Sequence, residues 1–222
     1  MSKTTVMPRA PEPRDFGSRG IAAHAIGAPV WMAAAFLVSA ALAALVLAAF
    51  GAGERGTALA LRVTARWCFL LFWAAYAGGA LAKFFGSRFA ILARHGRTFG
   101  LAFASALLVH VALVVWLYVI VADQRAPMLF FWAGVLCTYA LALFSVARLR
   151  DALGSRLWRL AMELALQYIM LVFAADFIVE PLRASGPDKY PLSYVPFVIM
   201  VAGGIALRLA AQLRRPRAAA KA

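Results

Sequence analysis

The sequence predicts an all-α fold, a six-helix transmembrane bundle with both termini in the cytoplasm, and three observations carry that prediction. Sixty-four per cent of the 222 residues are hydrophobic and only 14 per cent are charged, against about half and about a quarter in an ordinary soluble domain. The mean hydropathy of +0.82 means that folding in water would leave more apolar surface than one core of this size encloses. The charges themselves are bunched into short stretches between long uncharged windows.

Those windows give the elements in order, because about 20 apolar residues in a helix cross the hydrocarbon core. Spans are expected at about 29–50, 65–84, 99–121, 127–147, 157–179 and 190–209. The first lies inside the uncharged stretch 20–53, and the second fills the window between Arg66 and Lys83. The third separates Arg97 from Asp123, and the fourth lies between Arg125 and Arg148. The fifth contains Glu163 and Asp176, and the sixth runs from Lys189 towards Arg208. Together they make a membrane domain over 26–211. Residues 1–25, with Pro8, Pro11 and Pro13, read as a flexible cytoplasmic tail, and 212–222 as a basic one. The polar lead is too long, and the apolar run that follows it long enough to span, for a cleaved secretory signal.

Orientation follows from the cations. Seventeen of the 23 lysines and arginines fall in the amino-terminal tail, the second and fourth loops and the carboxyl end, and six fall on the other side. The positive-inside rule puts the richer side in the cytoplasm. The net charge of +14 is therefore assigned to membrane loops. The lipid bilayer is the expected partner, and no nucleic acid is. Three histidines and two cysteines exclude a disulfide framework or a zinc cluster. No glycine-rich dinucleotide fingerprint marks a flavin or nicotinamide module.

Ionisable groups inside spans are functional candidates by default. His110 lies about twelve residues into the third span, with Ala102 and Ala106 above it on one helical face. A track of small residues ending in imidazole either leaves room for a flat group such as haem or lets a neighbouring helix approach closely, with His110 bonding across the bundle. Asp176 and Glu180 stand near the outer end of the fifth span and Arg62 and Arg66 near that of the second, which points to ion pairs or to a proton or ion entry point. Glu163, with Arg159 one turn before it and Lys83 on a nearby helix end, reads as structural. Cys68 and Cys137 read as small buried hydrophobes, His24 and His95 as groups at or outside the membrane boundary. Trp31, Trp116, Tyr118, Tyr190 and Tyr194 fit interfacial belts. The Gly78-Gly79 pair would pack within or between chains.

Three segments between Leu61 and Tyr168 carry a resemblance to a known family. Arg62-Val63-Thr64-Ala65-Arg66 opens the second span and Leu81-Ala82-Lys83 closes it. Arg94-His95-Gly96-Arg97-Thr98-Phe99-Gly100-Leu101 is followed nine residues later by His110. Leu153-Gly154-Ser155-Arg156-Leu157-Trp158-Arg159-Leu160 precedes the fifth span. In order and spacing these resemble the ferric-reductase-like transmembrane family, most nearly the haem b membrane subunits of bacterial periplasmic methionine-sulfoxide reductase systems. The resemblance implies a multi-pass protein of a bacterial-type inner membrane. It also implies haem b as cofactor and electrons passing from quinol or a separate flavoprotein to an acceptor on the outer face. His110 falls at the family's haem-ligand position, and Arg97 and Arg66 would meet propionates.

The fifth span departs from the family. Family members carry a histidine directly after the tryptophan motif and another about 13 residues later. Here the corresponding stretches read Leu160-Ala161-Met162-Glu163 and Phe173-Ala174-Ala175-Asp176. His110 is the one ligand that carries over, with Met170 better placed in depth than Met162 for a second ligand, or with iron left five-coordinate. Three readings stay open: an oxidoreductase electron-transfer subunit holding haem on His110; a haem-free scaffold or partner subunit of a membrane complex; and a small transporter using Asp176, Glu180 and His110 as a relay.

Overall fold

The computed structural model describes residues 17–121, 128–146, 155–183 and 191–214. Six long helices account for most of them: α1 (Gly17–Phe50), α2 (Glu54–Phe85), α3 (Gly96–Ile120), α4 (Met128–Val146), α5 (Ser155–Ala174) and α6 (Pro191–Leu213). A 3-10 turn (Gly86–Phe89) and a short helix (Ala90–Arg94) join α2 to α3. A π turn (Ala175–Val179) and a last helical turn (Glu180–Arg183) extend α5. No strand occurs among the described residues. The fold is the expected all-α bundle.

Five segments are long and apolar enough to cross a membrane: Gly27–Phe50, Glu54–Arg94, Gly96–Ile120, Arg156–Val179 and Leu192–Leu213. The sixth, Leu129–Ser145, is apolar but shorter. Large hydrophobic side chains point outward along these helices, among them Leu45 (69% exposed), Val119 (70%), Leu136 (71%) and Ile199 (65%). Such a coat suits contact with lipid tails. The chain is a multi-pass membrane protein.

The helices run past the windows that betray them. α1 begins at Gly17, so residues 17–25, expected to be tail, are helical; α2 begins at Glu54, eleven residues before the expected start; α6 continues to Leu213 rather than 209. A charge ends an apolar window but not a helix, because arginine and lysine stems reach back to the headgroups while the backbone keeps its bonds. The expected tails at 1–16 and after residue 214 lie outside the described residues. Glycine sets two of the breaks. Gly51 (φ 84°) ends α1 and Gly86 (φ 72°) ends α2, both in the left-handed region that side chains disfavour.

α2 is the central helix, packing against α1, α3 and α6, while α4 lies mainly on α5. Between α1 and α3 the contact is made by small residues. Ala35, Ala102 and Ala106 are buried, and the Ser39 hydroxyl donates to the Ala106 carbonyl at 3.2 Å and Ser105 to the Met32 carbonyl at 2.9 Å. Small side chains let two helices close in, which is how helices associate when lipid removes the hydrophobic drive. On the other side of α2, rings fill the space. Phe69 meets Phe173 and Phe177 edge-on at 5.1 and 5.0 Å, and Phe177 stacks on Phe197 at 4.9 Å.

Candidate functional site

Two cavities open beside α5. The larger, about 620 Å³, is walled by the second half of α2, the start of α3, the end of α4, the start of α5 and the end of α6. Those five helix ends meet at one end of the bundle, so α2, α4 and α6 run one way and α3 and α5 the other. Helical spacing explains the lining. Tyr76, Gly79, Ala80 and Lys83 share one face of α2, and Arg97, Gly100 and Leu101 share one face of α3.

A polar network closes one wall. Glu163 of α5 accepts from Arg208 of α6 through both guanidinium edges, Nε at 3.0 Å and Nη2 at 2.5 Å. Gln212 and Gln167 add bonds to the same carboxylate at 2.9 and 3.1 Å. Arg208 also donates to the Tyr76 carbonyl at 3.1 Å and lies 4.5 Å over the Tyr76 ring, whose hydroxyl donates to Gln167 at 2.9 Å. Two i,i+4 pairs, Glu163–Gln167 and Arg208–Gln212, face each other across the helices. Each polar group therefore finds a partner without water. The sequence placed Glu163 correctly at this end, but its ion pair is with Arg208. Lys83, one of the two cations expected near it with Arg159, donates instead to the Ala211 carbonyl at 2.6 Å.

At the mouth stand Lys83 and Arg97, both exposed. Arg97 donates to the Ser145 hydroxyl at 2.9 Å and to the Ser145 carbonyl at 2.5 Å. A Cβ added to Gly79 or Gly100 would meet nothing within 4 Å, because both glycines face the open cavity. Gly78, one residue earlier, faces the opposite way: a Cβ there would come within 2.9 Å of Leu92. The glycine pair thus packs within the chain on one side and opens a cavity on the other.

The smaller cavity, about 120 Å³, lies deeper, and His110, Phe131, Val172 and Asp176 are in its wall. Phe103, Thr138 and Ile169 line both cavities and form the partition. His110 Nδ1 is 3.0 Å from the Thr64 hydroxyl, which is itself 2.9 Å from the Ala60 carbonyl. A hydroxyl has one proton to give. With that proton on Ala60, Thr64 accepts from Nδ1–H, and the His110 lone pair sits on Nε2. An imidazole with one nitrogen anchored by a bond is oriented as ligands usually are.

The space does not match a macrocycle. Ligand sites run from roughly 300 to 1,000 Å³, and about 120 Å³ holds roughly four waters at ~30 Å³ each. α5 turns Ile169, Val172, Phe173 and Asp176 towards this cavity. Met170 is buried in a different direction: a Cβ on Gly204 of α6 would lie 3.5 Å from its methyl carbon. Met170, the better placed of two candidate methionines for a second ligand beside His110, is therefore not brought to the same cavity. Met162 lines the large cavity and is likewise apart from His110. As packed, the residues present do not fit haem on His110.

The remaining expectations distribute simply. Arg66 donates to Ser193 at 3.0 Å and lies over Tyr194 and Phe197 at 5.2 and 5.4 Å, on a different part of α2 from the cavity holding Arg97. Cys68 is buried and Cys137 half-buried, both as free thiols. The side chains of His24 and Glu180 lie outside the described residues. His95 caps α3. What sequence reasoning missed is the Arg208–Gln212–Gln167–Tyr76 network, and the signal for it was two amides four residues from two charges inside apolar spans.

Fold and site together define an all-helical membrane protein with a ligand-sized cavity at one end and a single anchored imidazole deeper in. No family model, curated protein or solved structure matches the chain.

Proposed function

We propose that this chain is a haem-free membrane subunit, a six-helix scaffold that holds a small amphipathic molecule in its five-helix cavity for the benefit of a membrane complex. One observation supports this reading above the others: a cavity of about 620 Å³ with an apolar interior, a self-satisfied polar wall and two cations at its mouth. That combination of apolar lining and a few placed polar groups is the usual make-up of a ligand site. The end carrying Lys83 and Arg97 faces the cytoplasm in this proposal, following the positive-inside rule. The resemblance to ferric-reductase-like proteins then describes descent of the scaffold, with Glu163 and Asp176 standing near the positions where those proteins carry histidine.

The competing reading, a haem-bearing electron-transfer subunit, draws its support from the His110 imidazole, anchored through Nδ1 to Thr64. An absorbance spectrum of detergent-purified protein, expressed with haem precursor and recorded before and after dithionite, separates the two. The expected result is no Soret band, together with a co-purifying amphiphile detected by native mass spectrometry. A Soret band that shifts on reduction and vanishes in His110→Ala would overturn the haem-free reading.

A further inference from the structure

The charges around the large cavity are unequal. Among the described residues, Lys83, Arg97 and Arg208 are in its lining, against one carboxylate, Glu163. Glu163 is committed to Arg208, with their side chains 32% and 16% exposed. Lys83 and Arg97 spend their bonds on neutral acceptors, the carbonyl of Ala211 and the hydroxyl and carbonyl of Ser145. Neither is in a salt bridge with a carboxylate among the described residues. Behind them the walls are apolar apart from the self-paired Glu163–Arg208 network, and Gly79 and Gly100 leave room where side chains would stand.

Resting on the proposed function above, we infer that the occupant is an anionic phospholipid, its phosphate between Lys83 and Arg97 and an acyl chain in the apolar interior. Two cations bonded to neutral acceptors select a negative headgroup, and arginine offers a phosphate two parallel donors. The apolar depth rejects a free phosphate, which would leave that surface wet. Basic pockets between helices on the cytoplasmic side are places where anionic headgroups bind, and here the glycine-lined opening gives the chain attached to such a headgroup somewhere to go.

The full-length protein in nanodiscs of equal phosphatidylglycerol and phosphatidylcholine, with identical acyl chains, provides the test. After transfer to mild detergent, native mass spectrometry reads which lipid stays bound. Phosphatidylglycerol should be retained in preference, and each of Lys83→Gln and Arg97→Gln should weaken retention about five-fold, near the effect expected per cation. Gly79→Leu combined with Gly100→Leu keeps both cations but fills the cavity, and should abolish retention. A thermal melt of each variant confirms that it folds. Equal retention of phosphatidylcholine would overturn the anionic assignment while leaving an amphiphile site intact. Retention that survives the filled cavity would overturn the site and assign the lipid to the outer surface of the bundle. Retention of neither lipid by the folded protein would count against the amphiphile reading itself. Displacement of the lipid by inorganic phosphate alone would show that the acyl chain contributes nothing.

Discussion

The two cavities sit one layer apart on the same helices and are built on opposite principles. Arg97 and Glu163 line the larger; His110 and Asp176, thirteen residues further along α3 and α5, line the smaller. That is a separation of about 20 Å along a helix. Near the bundle end, charge is plentiful, the cavity is wide, and a four-residue network satisfies Glu163. Deeper in, the one imidazole is tied to Thr64 and rings close the space around it. The difference is what a membrane dictates. Charge near the headgroups is inexpensive and can be left partly uncompensated, whereas a polar group at depth is held by a protein partner.

The largest expected effect comes from removing what separates them. Phe103 is 4% exposed and belongs to both linings, so Phe103→Ala merges the cavities. The loss should be about 3 kcal/mol, the low end for aromatic truncation, since lipid lowers the apolar transfer component. Reversible unfolding in micelles measures it, and a loss below ~1 kcal/mol would mean that the partition is not a packing element.

Next comes the polar wall. Glu163→Ala leaves Arg208 facing two amides with no carboxylate, and should cost about 2 kcal/mol, less than a fully buried pair because both partners are partly exposed. Glu163→Gln should recover about half of that loss by keeping a carbonyl acceptor for Arg208. Equal stability of Glu163→Ala and the native protein would show that the network positions ligand rather than helices.

Two smaller effects sharpen the contrast between closed and open surface. Gly78→Ala drives a methyl to within 2.9 Å of Leu92 and should cost about 1 kcal/mol. Gly79→Ala, pointing into open space, should change stability by less than ~0.5 kcal/mol. The paired melts invert if the glycines face the other way round. Thr64→Val removes the His110 anchor and should cost about 0.6 kcal/mol, the mean for a hydrogen bond inside a membrane bundle. The imidazole 15N shifts, read by NMR, should then change; unchanged shifts would mean that Thr64 does not hold the ring.

Most of the scaffold was legible. Uncharged windows gave six helices, because lipid admits few unpaired charges and the composition is uniform between them. Their ends were less legible. Arg55 and Arg62 interrupt the hydropathy in the first half of α2 without interrupting its backbone, and the π turn at Ala175–Val179 leaves no mark in the sequence. His110 was visible as an oddity, and Glu163 as a charge at one end of its span. Their partners were not, since Thr64 lies 46 residues away and Arg208 lies 45, and one sequence contains no record of which distant residues meet.

The sequence by itself determined that this chain lives in a membrane, crosses it repeatedly as helices, and carries its cations in bunches, because those properties follow from local transfer energies and helical period. Only the tertiary structure decided that Ala102 and Ala106 lie where α1 approaches α3, and that Met170 turns to α6 and away from His110. It alone brought five helix ends together around a cavity. The reason is physical. Burial against lipid depends on each residue's own chemistry, while a cavity exists only where several helices fail to fill the space between them, and that is fixed by how they pack.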